Sequence, residues 1–410
     1  EMRQFEGGWA STAQIDLSKV RLERLGYFRE VSVETPAVPG TENQVDVEFT
    51  VQEQPSGSIS ATLGFAQQAG LILGAQYQEN NVFGTGNSTS LNVNWSQFQQ
   101  SISFNFFDPY FTVDGISRGF NVFFRETDFG QQNIARFLTN SFGAGMNFGY
   151  PISEVQRVNF GVNAEFTDLT EGRFPALEIS EFIRENGSEF LNWSATLGWS
   201  DSKLNRGLFP TRGSSQRLTA EVTLPGSDLL FYRLRYEGQK FIPLGRIFTL
   251  RLHTDLGYGD AYGESSSLPF YEHFFAGGFG SVRGFELNSL GPRSTEPPDS
   301  PFVRNRRQPF GGNTLVTGGV ELIFPMPFVD DDRQFRPVLF FDFGNVFNTE
   351  CPNVSDACTA PELSELRYAV GLGLTWLSGL GPLTFGVAEA FNFDRFDQTQ
   401  FFQFELGRTF

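Results

Sequence analysis

The chain has no run of about 18 consecutive apolar residues, the length a helix needs to cross a bilayer, so a membrane-spanning helix is excluded. Cysteine and histidine occur twice each and methionine 3 times in 410 residues. His253 and His273 lie too far apart for any local metal-ligand spacing, and two thiols alone make a poor metal site. Positive charge is also short: 30 Lys and Arg against 47 Asp and Glu leave a net charge of -17, which argues against nucleic acid or an anionic membrane surface as the main partner. No Gly-x-Ser-x-Gly element, phosphate loop or Cys/His cluster appears, so neither enzyme chemistry nor a cofactor or metal is expected. A targeting segment is missing as well: the chain opens on charged Glu1-Met2-Arg3, which reads as a mature or truncated fragment.

What the sequence does hold is phenylalanine, 48 times, and glycine, 44 times. A soluble core would draw more on leucine, isoleucine and methionine, so these rings need another surface. With a spanning helix excluded, a closed barrel is the remaining way to meet hydrocarbon, because a bilayer core tolerates no unpaired strand edge.

From Ser11 to Phe28, Ile15, Leu17, Val20, Leu22 and Leu25 recur at helical spacing and Gly26 stops the pattern. Two alternating segments follow, Glu30 to Glu34 and Val45 to Val51, giving a small α+β unit over residues 1–55 that two strands alone do not complete. From Gly57 the period becomes two. Ile59, Ala61, Leu63 and Phe65 share one face, with Ser58, Ser60, Thr62 and Gly64 on the other. Such segments recur near 57–66, 70–80, 87–97, 99–108, 116–127, 138–149, 156–168, 190–201, 214–224, 229–241, 246–258, 313–324, 335–347, 365–377, 382–393 and 400–410. Their even number and their length suit an all-β, 16-stranded antiparallel transmembrane barrel over 56–410. The connectors sort by parity: the three longest, about 169–189, 259–312 and 348–364, all fall on one side, with both termini on the other.

The connection 259–312 contains Val282-Arg283-Gly284-Phe285. Elsewhere stand Glu1-Met2-Arg3-Gln4, Leu25-Gly26-Tyr27-Phe28, the stretch from Asp108 to Gly115, Gly207-Leu208-Phe209-Pro210-Thr211, Leu224-Pro225-Gly226-Ser227-Asp228 and the terminal Phe402 to Phe410. Through these motifs the chain resembles the BamA family of outer-membrane assembly factors along essentially its whole length. The resemblance implies that residues 1–55 are the end of the last of several soluble POTRA domains, on the periplasmic side of a Gram-negative outer membrane. It further implies that the long loop folds into the lumen, where Arg283 meets acidic residues of the inner wall. Strand alternation independently turns Glu321 and Asp342 inward, opposite Val320 and Phe341. Arg283 left as a solvated loop charge is the plainer alternative.

Cys351 and Cys358 share one external loop, an oxidising setting that favours a loop-closing disulfide over two free thiols. The last strand, with Phe402, Phe404, Leu406 and Phe410 on one face, resembles the signal that marks outer-membrane barrels for assembly. Gly57 and Gly64 weaken the first strand and Gly407 interrupts the last, so the seam between Ile59–Leu63 and Phe404–Phe410 is expected to be short and able to open. The expected function is folding and insertion of β-barrel clients through that seam, with unfolded outer-membrane proteins, assembly lipoproteins and outer-membrane lipids as partners. A two-partner secretion translocator is the nearer alternative, and a passive porin the more distant one.

Overall fold

The computed structural model describes every residue except 67–69, 133, 246, 298–306, 327–328, 330–333, 350–360, 380 and 408–410. Helix α1 (Thr12–Arg24) packs on strands β1 (Phe28–Glu34) and β2 (Glu48–Glu53), which pair antiparallel from Phe28–Glu53 to Glu34–Glu48. The chain leaves the helix through Gly26, whose φ of +70° is a left-handed turn that glycine adopts without a Cβ clash. The segment expected from Val45 joins the ladder only at Glu48, and Val45 keeps a single isolated bridge to Ala37. Pro36 has no N–H to donate, so the regular ladder is interrupted there, and pairing resumes only as the Ala37–Val45 bridge with Asp46 N–H donating to the Pro36 carbonyl and Val38 N–H to the Gln44 carbonyl.

The barrel follows: β3 (Gly57–Ala66), β4 (Gly70–Asn80), β5 (Ser88–Trp95), β6 (Gln99–Asp108), β7 (Ser117–Asp128), β8 (Phe137–Pro151), β9 (Gln156–Glu171), then helix α2 (Leu177–Asn186). It continues with β10 (Glu189–Ser202), β11 (Gly213–Thr223), β12 (Phe231–Leu244), β13 (Phe248–Ala261), β14 (Thr314–Ile323), β15 (Phe335–Phe347), β16 (Arg367–Ser378), β17 (Gly381–Phe391) and β18 (Phe402–Leu406). Each barrel strand pairs antiparallel with its sequence neighbour, and β18 closes on β3. Closure leaves the sheet without the pair of free edges that hydrocarbon would penalise.

Alternation sorts each strand into two faces. On β4, Leu71, Leu73 and Tyr77 point outward and exposed, whereas Gln76, Gln78 and Asn80 face the lumen and link to one another at 3.2 and 2.8 Å. Leu91, Phe104, Val122, Phe142, Phe160, Trp193, Leu218 and Leu372 carry the outer apolar surface around the wall. Among the described residues no helix is long and apolar enough to span a membrane.

Connection 172–188 and the described ends of the connections after β13 and β15 lie at one end of the barrel, and the helix–hairpin unit at the other. There the Tyr27 hydroxyl donates to the Gly86 carbonyl at 2.7 Å, and Arg3 and Arg21 pair with Glu154 at 2.8 and 2.7 Å. Two elements depart from the sequence expectation. α2 lies within a stretch read as loop, and it buries Ile179 against Phe137, Phe190 and Phe270 in an apolar cluster at the far end. The last strand, expected over 400–410, begins at Phe402, because the residues before it pair with the long loop, Thr399 bridging Phe285.

Candidate functional site

Residues 274–294 run into the lumen, and the reason is local chemistry. Val282 and Phe285 are fully buried beside Leu290, Leu315 and Val346, and such burial contributes about 1.5–3 kcal/mol per side chain. Between them Gly284 has φ +85°, and a Cβ there would stand 3.2 and 3.3 Å from the Ala388 and Ala369 methyls. The Val-Arg-Gly-Phe turn therefore seats two apolar anchors against a wall of alanines, with glycine permitting the close approach.

That seating delivers Arg283. Its Nε donates to Asp342 Oδ2 at 2.6 Å and its Nη2 to Asp342 Oδ1 at 2.7 Å, a bidentate pair, while its backbone N–H reaches Oδ2 at 3.1 Å. Nη2 also lies 2.8 Å from Glu321 Oε1, and the guanidinium stacks 3.6 Å from the Phe340 ring centre. The other Glu321 oxygen accepts from Arg251 Nη1 at 3.1 Å. Burial opposes the charge on Arg283, but the carboxylates of Asp342 and Glu321 outweigh it and hold its pKa above the ordinary arginine value. The structure thus brings Arg283, Glu321 and Asp342 into one buried cluster, from a loop and two adjacent strands.

The same turn reaches the last strand. Gln400 N–H donates to the Gly284 carbonyl and Glu286 N–H to the Gln398 carbonyl, both at 2.8 Å. Gln403, inside β18, donates through Nε2 to the Phe285 carbonyl at 2.7 Å. Further along, Asp397 bridges Arg293 of the loop and Arg367 of β16 at 2.8 and 2.6 Å. Gln403, Asp397, Arg251 and Phe340 were missing from the sequence reading. Parity could have flagged Gln403 and Phe340 as inward positions, but Asp397 lies in a connection with no period to read.

The seam is the weakest place in the wall. β18 and β3 are registered at Glu405–Ala66 and Leu406–Phe65, whereas β8 and β9 stay paired from Phe137–Glu171 to Pro151–Arg157. Gly407 has φ +87° with its N–H donating to the Pro382 carbonyl at 2.8 Å, and a Cβ there would meet Gly64 Cα and the Leu63 carbonyl, each at 3.1 Å. Phe404 stacks between Phe385 and Phe65 with ring centres 5.1 and 6.4 Å away. Ile59 and Leu63 point outward on β3 where no described strand covers its seam side, and Gly57 sits at the strand's other end, opposite Glu79. Phe410, Cys351 and Cys358 lie outside the described residues.

At the far end the loop is locked by Phe270, Tyr271, Glu272 and His273. The His273 ring nitrogen Nδ1 lies 3.1 Å from the Phe310 carbonyl and so carries the proton, and burial lowers its pKa to about 4. Burial likewise pushes Glu272 up to about 7, against the opposing pull of Arg233 and with Glu221 and Glu165 adding to the rise. Among the described residues no group of His, Cys, Asp and Glu has metal-site geometry.

The profile of the Omp85 superfamily domain matches residues 81–410, and that of the POTRA, described as a surface antigen variable number repeat, matches residues 1–54. The outer membrane protein assembly factor BamA of Neisseria meningitidis serogroup B is 35% identical over 436 residues, covering 100% of this chain and 54% of that protein. The chain thus spans about half the length of the curated relatives it matches. The crystal structure of BamA from Haemophilus ducreyi lacking POTRA domains 1-3 superposes with a TM-score of 0.81 at 29% identity, covering 98% of this chain and 80% of that one. CdiB from Acinetobacter baumannii shares the fold at a TM-score of 0.61 and 13% identity, over 99% of this chain and 69% of that chain. The lipid-facing barrel, the lumenal loop and the match over 81–410 together carry one conclusion: the chain belongs to the Omp85 superfamily, as an outer-membrane barrel preceded by POTRA sequence.

Proposed function

We propose that this chain assembles β-barrel proteins into the outer membrane of a Gram-negative cell, admitting client strands at the seam between β3 and β18. The observation that carries the reading is the register there, which among the described residues holds two pairs. From Ser58 to Gly64, β3 presents backbone donors and acceptors toward the seam with no partner strand among the described residues. An edge of that kind templates the addition of another strand, and each new pair of backbone hydrogen bonds draws free energy from the client's own folding. No nucleotide is required. The lumenal loop ties one side of the seam: through Gln403 and the 398–400 bridge it holds β18, whereas β3 is held by its ladder to β4.

In this reading the helix–hairpin unit lies on the periplasmic side, where it receives clients and contacts assembly lipoproteins, and the lipids beside the seam are thinned by its short strand. Arg283 breaks no bond. It fixes the loop, and with it β18. A passive porin needs an open lumen, which residues 274–294 cross, and the CdiB likeness extends to fold alone.

The test is a disulfide across the registered pair, Phe65→Cys with Leu406→Cys, in protein reconstituted into liposomes that accelerates the folding of a small outer-membrane barrel. Oxidation should abolish the acceleration and reductant should restore it. Full activity with the crosslink formed on every molecule would exclude an opening seam.

A further inference from the structure

Between the Arg283 cluster and the turn 203–212, which closes the lumen from the POTRA end, lies a cavity of about 220 Å³. Its charges do not balance. Asp342 and Glu321 serve Arg283, and Glu321 serves Arg251. The third guanidinium, Arg336 of β15, points inward with Val338 and Phe340, and no described carboxylate pairs with it. It is held instead between two phenyl rings, 5.4 Å from that of Phe209 and 5.3 Å from that of Phe241.

A guanidinium that lines a cavity with no described carboxylate beside it marks that space as one that receives negative charge. The floor is a built feature. Asn205 ties the turn through its side chain to the backbone N–H groups of Thr211 and Arg212, both at 3.1 Å, and Phe209 is held over Arg336 at a left-handed φ of 49°.

We propose that this cavity binds a small monoanionic amphiphile, with its carboxylate on Arg336 and its aromatic or short aliphatic body against Phe209, Phe241, Val338 and Leu377. One unmatched guanidinium calls for one negative charge, and a guanidinium accepts a carboxylate in bidentate fashion. A dianion such as a phosphate monoester would bring its second charge toward Glu321. The volume lies below the roughly 300–1,000 Å³ of pockets for drug-sized ligands, so the body is small. The wall of the site reaches β17, where Phe385 lies against Phe404 of β18, but the binding proposed here does not depend on how clients enter.

The probe is 3-(4-fluorophenyl)propanoate, followed by fluorine NMR with the protein in nanodiscs of zwitterionic lipid, and empty nanodiscs correcting for partition. Saturable line broadening is expected from the acid, with binding roughly tenfold weaker for the neutral amide, as loss of a charge-assisted pair requires. Arg336→Gln should weaken the acid to a similar degree, whereas Arg217→Gln, at a lumenal arginine outside the cavity, should leave it unchanged. Phe209→Leu should weaken acid and amide alike. Absence of saturable binding, an amide as tight as the acid, or undiminished affinity in a folded Arg336→Gln barrel would each overturn the proposal. The acid and amide comparison needs no variant, so it decides even where a substitution harms folding. Tighter binding of the matching phosphonate dianion would overturn the monoanion assignment.

Discussion

Arg283 and Asp342 are 59 positions apart, yet the guanidinium forks onto that carboxylate from a loop with no regular structure of its own. A buried pair of this kind says little about net stability while intact, because desolvation offsets the attraction, but removing one partner strands the other. Arg283→Ala leaves Asp342 and Glu321 buried without their shared cation and should weaken loop docking by roughly 3–5 kcal/mol. Hydrogen exchange over 276–290 should rise while the β8 and β9 amides stay protected, and unchanged loop protection would mean the anchor lies elsewhere. Arg283→Lys should fall between, keeping the charge and losing the fork. His273 gives a second residue-level prediction with a definite sign. Its pKa is lowered from 6.5 to about 4, so its contribution is present above pH 6.5 and is lost as pH falls through about 4. Exchange at Phe270–Ala276, corrected for intrinsic rates, should therefore increase on acidification, and a His273→Gln variant should lose that dependence. Glu272 beside it, pushed up to about 7, acts with the opposite sign, so the difference between wild type and His273→Gln is the deciding reading, and no such difference would contradict the assignment. Glu321 and Asp342 were legible beforehand because strand parity turns them inward, whereas the place of Arg283 came from the resemblance to a family. Asp397 was not, since nothing local says which cations a loop carboxylate will find.

At the scale of elements, the shortened last strand and α2 share a cause. Each is a segment whose partner is the lumenal loop or the apolar cluster around it, and such partners are invisible to a period count. Residues 398–400 have strand-like alternation, but the loop tip claims their hydrogen bonds before the barrel can. Leu177–Asn186 is helical because Ile179 finds Phe137, Phe190 and Phe270 to pack against, and ten residues would not hold a helix in water unaided. The hydrogen bonds from the loop to β18 carry a prediction. Gln403→Leu leaves the buried Phe285 carbonyl without its donor, at a cost of about 1–3 kcal/mol. In that background the Phe65→Cys and Leu406→Cys pair should oxidise more slowly, because β18 is held less firmly opposite β3. An unchanged rate would separate the loop from the seam. Combining Gln403→Leu with Arg283→Ala should give less than the sum of the two effects, since both release the same turn.

The whole molecule is a wall whose two faces obey opposite rules. Leu372 is 52% exposed on the outside, where hydrocarbon makes that exposure favourable. Leu372→Arg should cost about 2–4 kcal/mol in urea unfolding from liposomes if it sits near the bilayer midplane, whereas Arg217→Gln inside the lumen should stay within about 0.5 kcal/mol. Equal effects would remove the basis for the assigned faces. The sequence by itself determined the barrel, its strand count and which residues look outward, because a period of two is a property of adjacent residues and survives in any environment that separates two faces. It also determined which side carries the long connections, since antiparallel neighbours alternate direction. Only the tertiary structure decided that Glu321 is shared between Arg251 and Arg283, that Arg336 is left unmatched between two rings, and that the seam holds at Glu405–Ala66 and Leu406–Phe65. Those outcomes depend on which groups closure of the barrel brings within hydrogen-bonding distance, and that choice is made between residues too far apart in the chain for any local pattern to encode.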